Sequence, residues 1–221
     1  MTRRVVFLHT VTSLAGLFTD LSKELLPGDV EIIHIADELL LKVVLAQGGL
    51  SPFISQRVAG HVLAAEEAGA ELVQVTCSSI SPCVDTARSR VSIPVLKIDE
   101  PMIDCAVGIG SRIGVAATAQ TTLGPTTELV QARAAALGRR VQVEPVLCAG
   151  AYATLFAGDR AAHDAIVIQY VTQLMERNDV VILAQASMAR LAGEFPTGPG
   201  KAPVLSSPRL AVERMAVLLT Q

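Results

Sequence analysis

Cys77 is the residue whose setting most invites chemistry. It follows the apolar run Leu72-Val73-Gln74-Val75-Thr76 and precedes Ser78 and Ser79, so a thiol sits where a strand gives way to hydroxyls. Pro82, a residue favoured in the first turn of a helix, places a helix start just beyond. In an open parallel sheet, ligands bind at the carboxyl ends of strands, where loops and helix N-termini meet. Hydroxyls and unpaired backbone N–H groups at such an end favour a bound carboxylate, and they also favour a thiolate. A lone cysteine is more often a small buried hydrophobe. Apolar packing has no need of three flanking hydroxyls, however, and the catalytic reading is preferred. Cys83, Cys105 and Cys148 sit in apolar stretches and are read as core or near-core positions.

Two further clusters share this form. After the strand that begins near Ile113 come Thr118, Thr121, Thr122, Thr126 and Thr127, more hydroxyls than capping one helix requires. The run Val180-Val181-Ile182-Leu183-Ala184 ends in Gln185-Ala186-Ser187 and echoes the Cys77 segment, 185 - 77 = 108 positions later and about half the chain away. Thr118, Thr121, Thr122, Ala186 and Ser187 join Ser78 and Ser79 as candidate substrate-binding residues. His9 and Thr10 end the first strand on the edge that carries Cys77 and are candidates too. His34 to Glu38 end the second strand and are lesser candidates, with Asp37 read equally as the cap of a helix over 39–44 or as a substrate contact, while His61 and His163 are expected to be partly exposed helix residues.

These residues need a scaffold of alternating strands and helices. Residues classed as hydrophobic make up 51% of the 221 but aromatics only 3%, with no Trp, so the core must be aliphatic, as suits helices on buried parallel strands. Strands are expected to begin near Val5, Val30, Leu72, Val95, Ile113, Val141, Val180 and Val204, and amphipathic helices over 51–69, 126–137 and 161–175. A net charge of -3 without basic clusters leaves no footprint for nucleic acid or an anionic membrane. The apolar run that starts at Val5 is too short for a signal peptide, and no stretch is long enough to span a bilayer. A cytoplasmic protein with a small-molecule partner is the expectation. The cysteines contain no CxxC pair, so no structural zinc is expected. The Gly108-Ile109-Gly110 and Gly198-Pro199-Gly200-Lys201 segments lack the spacing of dinucleotide and phosphate loops.

With Thr76-Cys77-Ser78-Ser79, Gly114-Val115-Ala116-Ala117-Thr118 and Val181 to Ala189 in this order, the chain resembles the aspartate/glutamate racemase superfamily, which includes hydantoin racemase, maleate isomerase and arylmalonate decarboxylase. The resemblance implies an α/β fold of two pseudo-symmetric flavodoxin-like lobes, each a mainly parallel sheet flanked by helices, with the active site between them. It implies a first lobe of residues 1–95 plus 207–221 carrying Cys77, a second of 96–206 carrying Gln185, and a homodimer. It also implies chemistry without cofactor or metal at the carbon next to a carboxylate. Racemases of this kind use two cysteines, and Gln185 falls where the second belongs. An amide has no useful pKa near neutrality, so a single-thiol lyase (a decarboxylase) or an isomerase that uses Cys77 as nucleophile is expected. The alternatives are a racemase with another second base, such as His9, and a binding protein for small carboxylates that has lost catalysis.

Overall fold

The computed structural model describes residues 3–220. Among the described residues there are eight strands, each where an apolar run was expected: β1 (Arg3–His9), β2 (Val30–Ala36), β3 (Leu72–Val75), β4 (Val95–Lys97), β5 (Arg112–Ala117), β6 (Gln142–Leu147), β7 (Val180–Leu183) and β8 (Val204–Ser206). They form two four-stranded sheets, all parallel, in the orders β2-β1-β3-β4 and β6-β5-β7-β8. The chain divides into two compact units, Met1–Ile98 with Pro208–Gln221, and Asp99–Ser207.

In the first unit, α1 (Leu14–Leu25) covers one sheet face, where Phe18 meets Phe7 and His9. The opposite face packs Val6, Leu8, Val73 and Val75 on Leu40 and Val44 of α2 (Glu38–Gln47), Ile54, Val58 and Val62 of α3 (Pro52–Glu67), and Val84 of α4 (Cys83–Arg88). Side chains alternate along a strand, so Val73, Val75 and then Cys77 share this second face. Pro82 is the N-cap of α4, and α9 (Ser207–Leu219) completes the unit. Asp37 caps α2 by accepting the Leu39 N–H at 3.2 Å.

In the second unit, α5 (Glu100–Ile109) precedes β5, α6 (Gln120–Ala136) and α7 (Ala151–Phe156) flank β6, and α8 (Arg160–Met175) precedes β7. Ala116, Val181 and Leu183 pack on Val167, Val171 and Leu174 of α8. The helix expected from residue 126 begins at Gln120, so the threonine-rich stretch is already helical and Pro125 lies inside it. At that position Pro125 cannot donate to the Thr121 carbonyl and its ring crowds that oxygen, yet the helix continues through it to Ala136. Two other expectations are corrected. His163 is 1% exposed rather than partly exposed, and Cys105 is exposed rather than near the core. No described helix is long and apolar enough to cross a membrane.

Candidate functional site

Each sheet reverses its winding direction between its first and third strands (β1 and β3, β5 and β7), and at such a switch point the strand ends diverge and leave a crevice. In the first unit, Val75 pairs with Leu8, and the Thr76 N–H then donates to the Leu8 carbonyl at 3.0 Å. The next residues on the two strands are Cys77 and Thr10. In the second unit, Leu183 pairs with Ala116, and the Ala184 N–H donates to the Ala116 carbonyl at 2.9 Å. The next residues there are Gln185 and Thr118. Cys77 and Gln185 are therefore equivalent positions of the internal repeat, each facing a threonine. Their backbones agree as well, with φ and ψ of -131° and 117° at Cys77 and of -121° and 132° at Gln185, and each leads into a 3-10 segment, Ser78–Ile80 and Ala186–Glu194.

Cys77 is partly exposed, while Thr10, Ser78 and Ser79 beside it are buried. Burial pushes its thiol above the ordinary value, outweighing hydrogen bonds from the Thr10 hydroxyl, the Ser79 and Ile80 N–H groups and the Ser79 hydroxyl, which favour the thiolate. The Thr10 hydroxyl is buried without a hydrogen-bond partner among the described residues, and its influence falls on the neighbouring sulfur, where it favours the thiolate. The result is a thiol that keeps its proton at neutral pH beside donors ready to steady negative charge when the proton leaves.

Gln185 is partly exposed and tied to Thr118. Its Oε1 accepts the Thr118 N–H at 2.6 Å and the Thr118 hydroxyl at 2.9 Å. The Thr118 donors that the sequence offered to a substrate are thus engaged within the protein. Thr121 and Thr122 lie in the first turn of α6. The Thr121 Oγ1 is buried without a partner among the described residues, and Thr122 is 3% exposed. Ala186 is buried and Ser187 exposed.

His9 lies on the α1 side of its sheet, fully buried, whereas Cys77 packs on the other face. Its Nδ1 is 2.8 Å from Thr76 Oγ1 and its Nε2 is 2.8 Å from His34 Nδ1, while His34 Nε2 is 2.8 Å from Thr19 Oγ1. His9 therefore braces the strand end that carries Cys77 and has no ring nitrogen left for a ligand. Burial, with a smaller contribution from His34, lowers its pKa from 6.5 to about 4, so it is neutral at pH 7. Three ring contacts need three protons and two neutral imidazoles supply two. Either Thr76 or Thr19 must then turn its hydroxyl into the chain and away from the Leu8 or Ala15 carbonyl that it otherwise reaches. Sequence reading missed His34 as the partner, although period-two alternation and the pairing of Phe7 with His34 in register put both histidines on one face.

Asp37 also binds more than the cap. Arg57 donates its Nε–H to Asp37 Oδ2, and His61 Nε2 lies 2.7 Å from the same atom. The spacing of Arg57 and His61 by one helical turn on α3 was the available signal. Among the described residues, no group of three or more His, Cys, Asp or Glu is arranged to hold a metal ion.

Known structures share this architecture. Allantoin racemase from Klebsiella pneumoniae superposes with a TM-score of 0.70 at 16% identity, covering 99% of this chain and 88% of that one. A glutamate racemase from Bacillus anthracis gives 0.72 at 16%, covering 99% and 82%, and an aspartate racemase homologue from Pyrococcus horikoshii gives 0.64 at 15%, covering all of both chains. At these identities the likeness speaks for the fold. A search of curated protein sequences finds no match. The model of the Asp/Glu/hydantoin racemase family, in contrast, matches residues 18–215, nearly the whole chain, and the protein belongs to that family.

Proposed function

We propose that the protein is a single-thiol enzyme acting, without metal or cofactor, at the carbon next to a carboxylate of a small acid, and that Cys77 delivers a proton to that carbon. The observation that carries this reading is the setting of Cys77, a thiol held protonated at a strand end with hydrogen-bond donors converging on its sulfur. A decarboxylase can use such a group as it stands. Heterolysis of the bond to a departing carboxylate releases CO2 and leaves the electron pair as an enolate. Cys77 S–H then protonates the carbon, and the resulting thiolate regains a proton from water. The donors around the sulfur steady that transient charge. Arylmalonate decarboxylase, by resemblance, has its thiol at the other position of the repeat, so the product should have the opposite handedness.

A second reading, racemisation, is favoured by the racemases among the structural neighbours. It needs a second acid–base group where Gln185 stands. The engagement of both His9 ring nitrogens argues against His9 in that role.

The test is turnover of a panel of disubstituted malonic acids, followed as CO2 release. The wild-type chain should turn over at least one of them, and Cys77→Ala should lower the rate by about 10²–10⁴, the usual contribution of a positioned proton donor. Equal rates for the two proteins, or no turnover of any malonate, would refute the reading.

A further inference from the structure

Thr118 resolves a question that a glutamine side chain usually leaves open, namely which end of the carboxamide faces the protein. A backbone N–H can only donate, so the Gln185 atom 2.6 Å from the Thr118 nitrogen must be the carbonyl oxygen. The Thr118 hydroxyl reaches the same oxygen at 2.9 Å. Both lone pairs of Oε1 are thereby engaged. The NH2 group has no partner among the described residues, and the side chain is partly exposed. An amide in this orientation presents two N–H donors and neither an acceptor nor a base.

We propose that Thr118 is a positioning residue rather than a substrate ligand, fixing the Gln185 carboxamide with its NH2 group turned outward, and that this strand end receives a carboxylate or carbonyl oxygen of the substrate. The proposal rests on the reading of the protein as an enzyme of small carboxylic acids, and it narrows the class. The strand end that holds Gln185 offers donors and neither an acceptor nor a base, so it suits an acid rich in oxygen acceptors, such as a malonate.

Three variants and one probe test this. Malonate binding is measured by calorimetry at pH 7 on the wild type, Gln185→Glu, Thr118→Val and Thr118→Ser. A glutamate at 185 still accepts both Thr118 donors through one carboxylate oxygen, which preserves the local fold, but it presents an anionic oxygen instead of NH2. Malonate affinity should fall at least about tenfold in Gln185→Glu. It should fall several-fold in Thr118→Val, which keeps the backbone N–H but loses the hydroxyl, and recover in Thr118→Ser, an outcome that a merely structural role for Thr118 would not give. Unchanged affinity in Gln185→Glu, or no malonate binding by the wild type, overturns the proposal. The two readings fail separately: binding that depends on Gln185 without any decarboxylation refutes only the proposed function, whereas turnover indifferent to Gln185→Glu refutes only this inference.

Discussion

At the residue scale, two groups are set by burial in opposite ways. Burial holds the Cys77 thiol protonated, so alkylation by iodoacetamide, read against Cys77→Ala to subtract the other cysteines, should be slow at pH 7 and rise only above the ordinary thiol value of 9. An inflection below pH 7 would mark a thiolate and a nucleophile instead of a proton donor. Burial holds His9 neutral, which has a consequence for stability. The unfolded chain binds a proton at His9 near pH 6.5 but the folded one only near 4. Between those values the unfolded state carries more protons, so stability rises with pH and is lost as pH falls through that window, by up to about 3 kcal/mol. Urea midpoints from pH 4 to 7 check this. His9→Phe, which fits beside Phe7 and Phe18, should remove most of the slope, and a slope equal to that of the wild type would contradict the assignment.

At the element scale, the glycines that imitate part of a dinucleotide motif are explained by packing. A Cβ on Gly110 would lie 2.3 Å from Asp179 Cβ, and one on Gly114 would lie 3.2 Å from a Leu174 methyl and 3.3 Å from Asn178 and Val181. Asp179 in turn accepts the N–H groups of Ser111 and Arg112 at 3.0 and 2.9 Å, which ties the start of β5 to that of β7. Gly110→Ala should therefore cost about 1–3 kcal/mol, the range for overpacking a close contact, visible as a lower thermal midpoint. A midpoint equal to that of the wild type would show that Asp179 shifts freely. All eight strands were legible because β-rich apolar runs bounded by polar clusters have few other readings. The start of α6 was not, because a run of threonines with Gly124 and Pro125 has the composition of a loop, and only tertiary support makes it helical. His163 was misjudged for a related reason. Its neighbour Asp164 pairs with Arg190, 26 residues further along the chain, and Arg190 also approaches the His163 ring, a contact no local pattern announces.

At the scale of the whole molecule, the internal repeat organises the account. Strand order, register and backbone angles match in the two units, yet their chemistry has diverged. Thr10 faces a thiol where Thr118 faces an amide, and the polar His9–Thr76 pair has only Ala117 and Ala184 as its counterpart. The repeat and the place of Cys77 could be read from sequence, since both follow strand ends. The consumption of Thr118 by Gln185 could not, because it depends on two side chains 67 residues apart.

Delivery of a single proton by Cys77 is checked by running the reaction in D2O with a disubstituted malonic acid and following it by proton NMR. A single-handed product carrying one deuterium on the former malonate carbon is expected, with both effects lost in Cys77→Ala. A chiral α-hydrogen acid incubated in the same way should keep its hydrogen. Exchange of that hydrogen with loss of optical activity would show two-base racemisation and contradict the account.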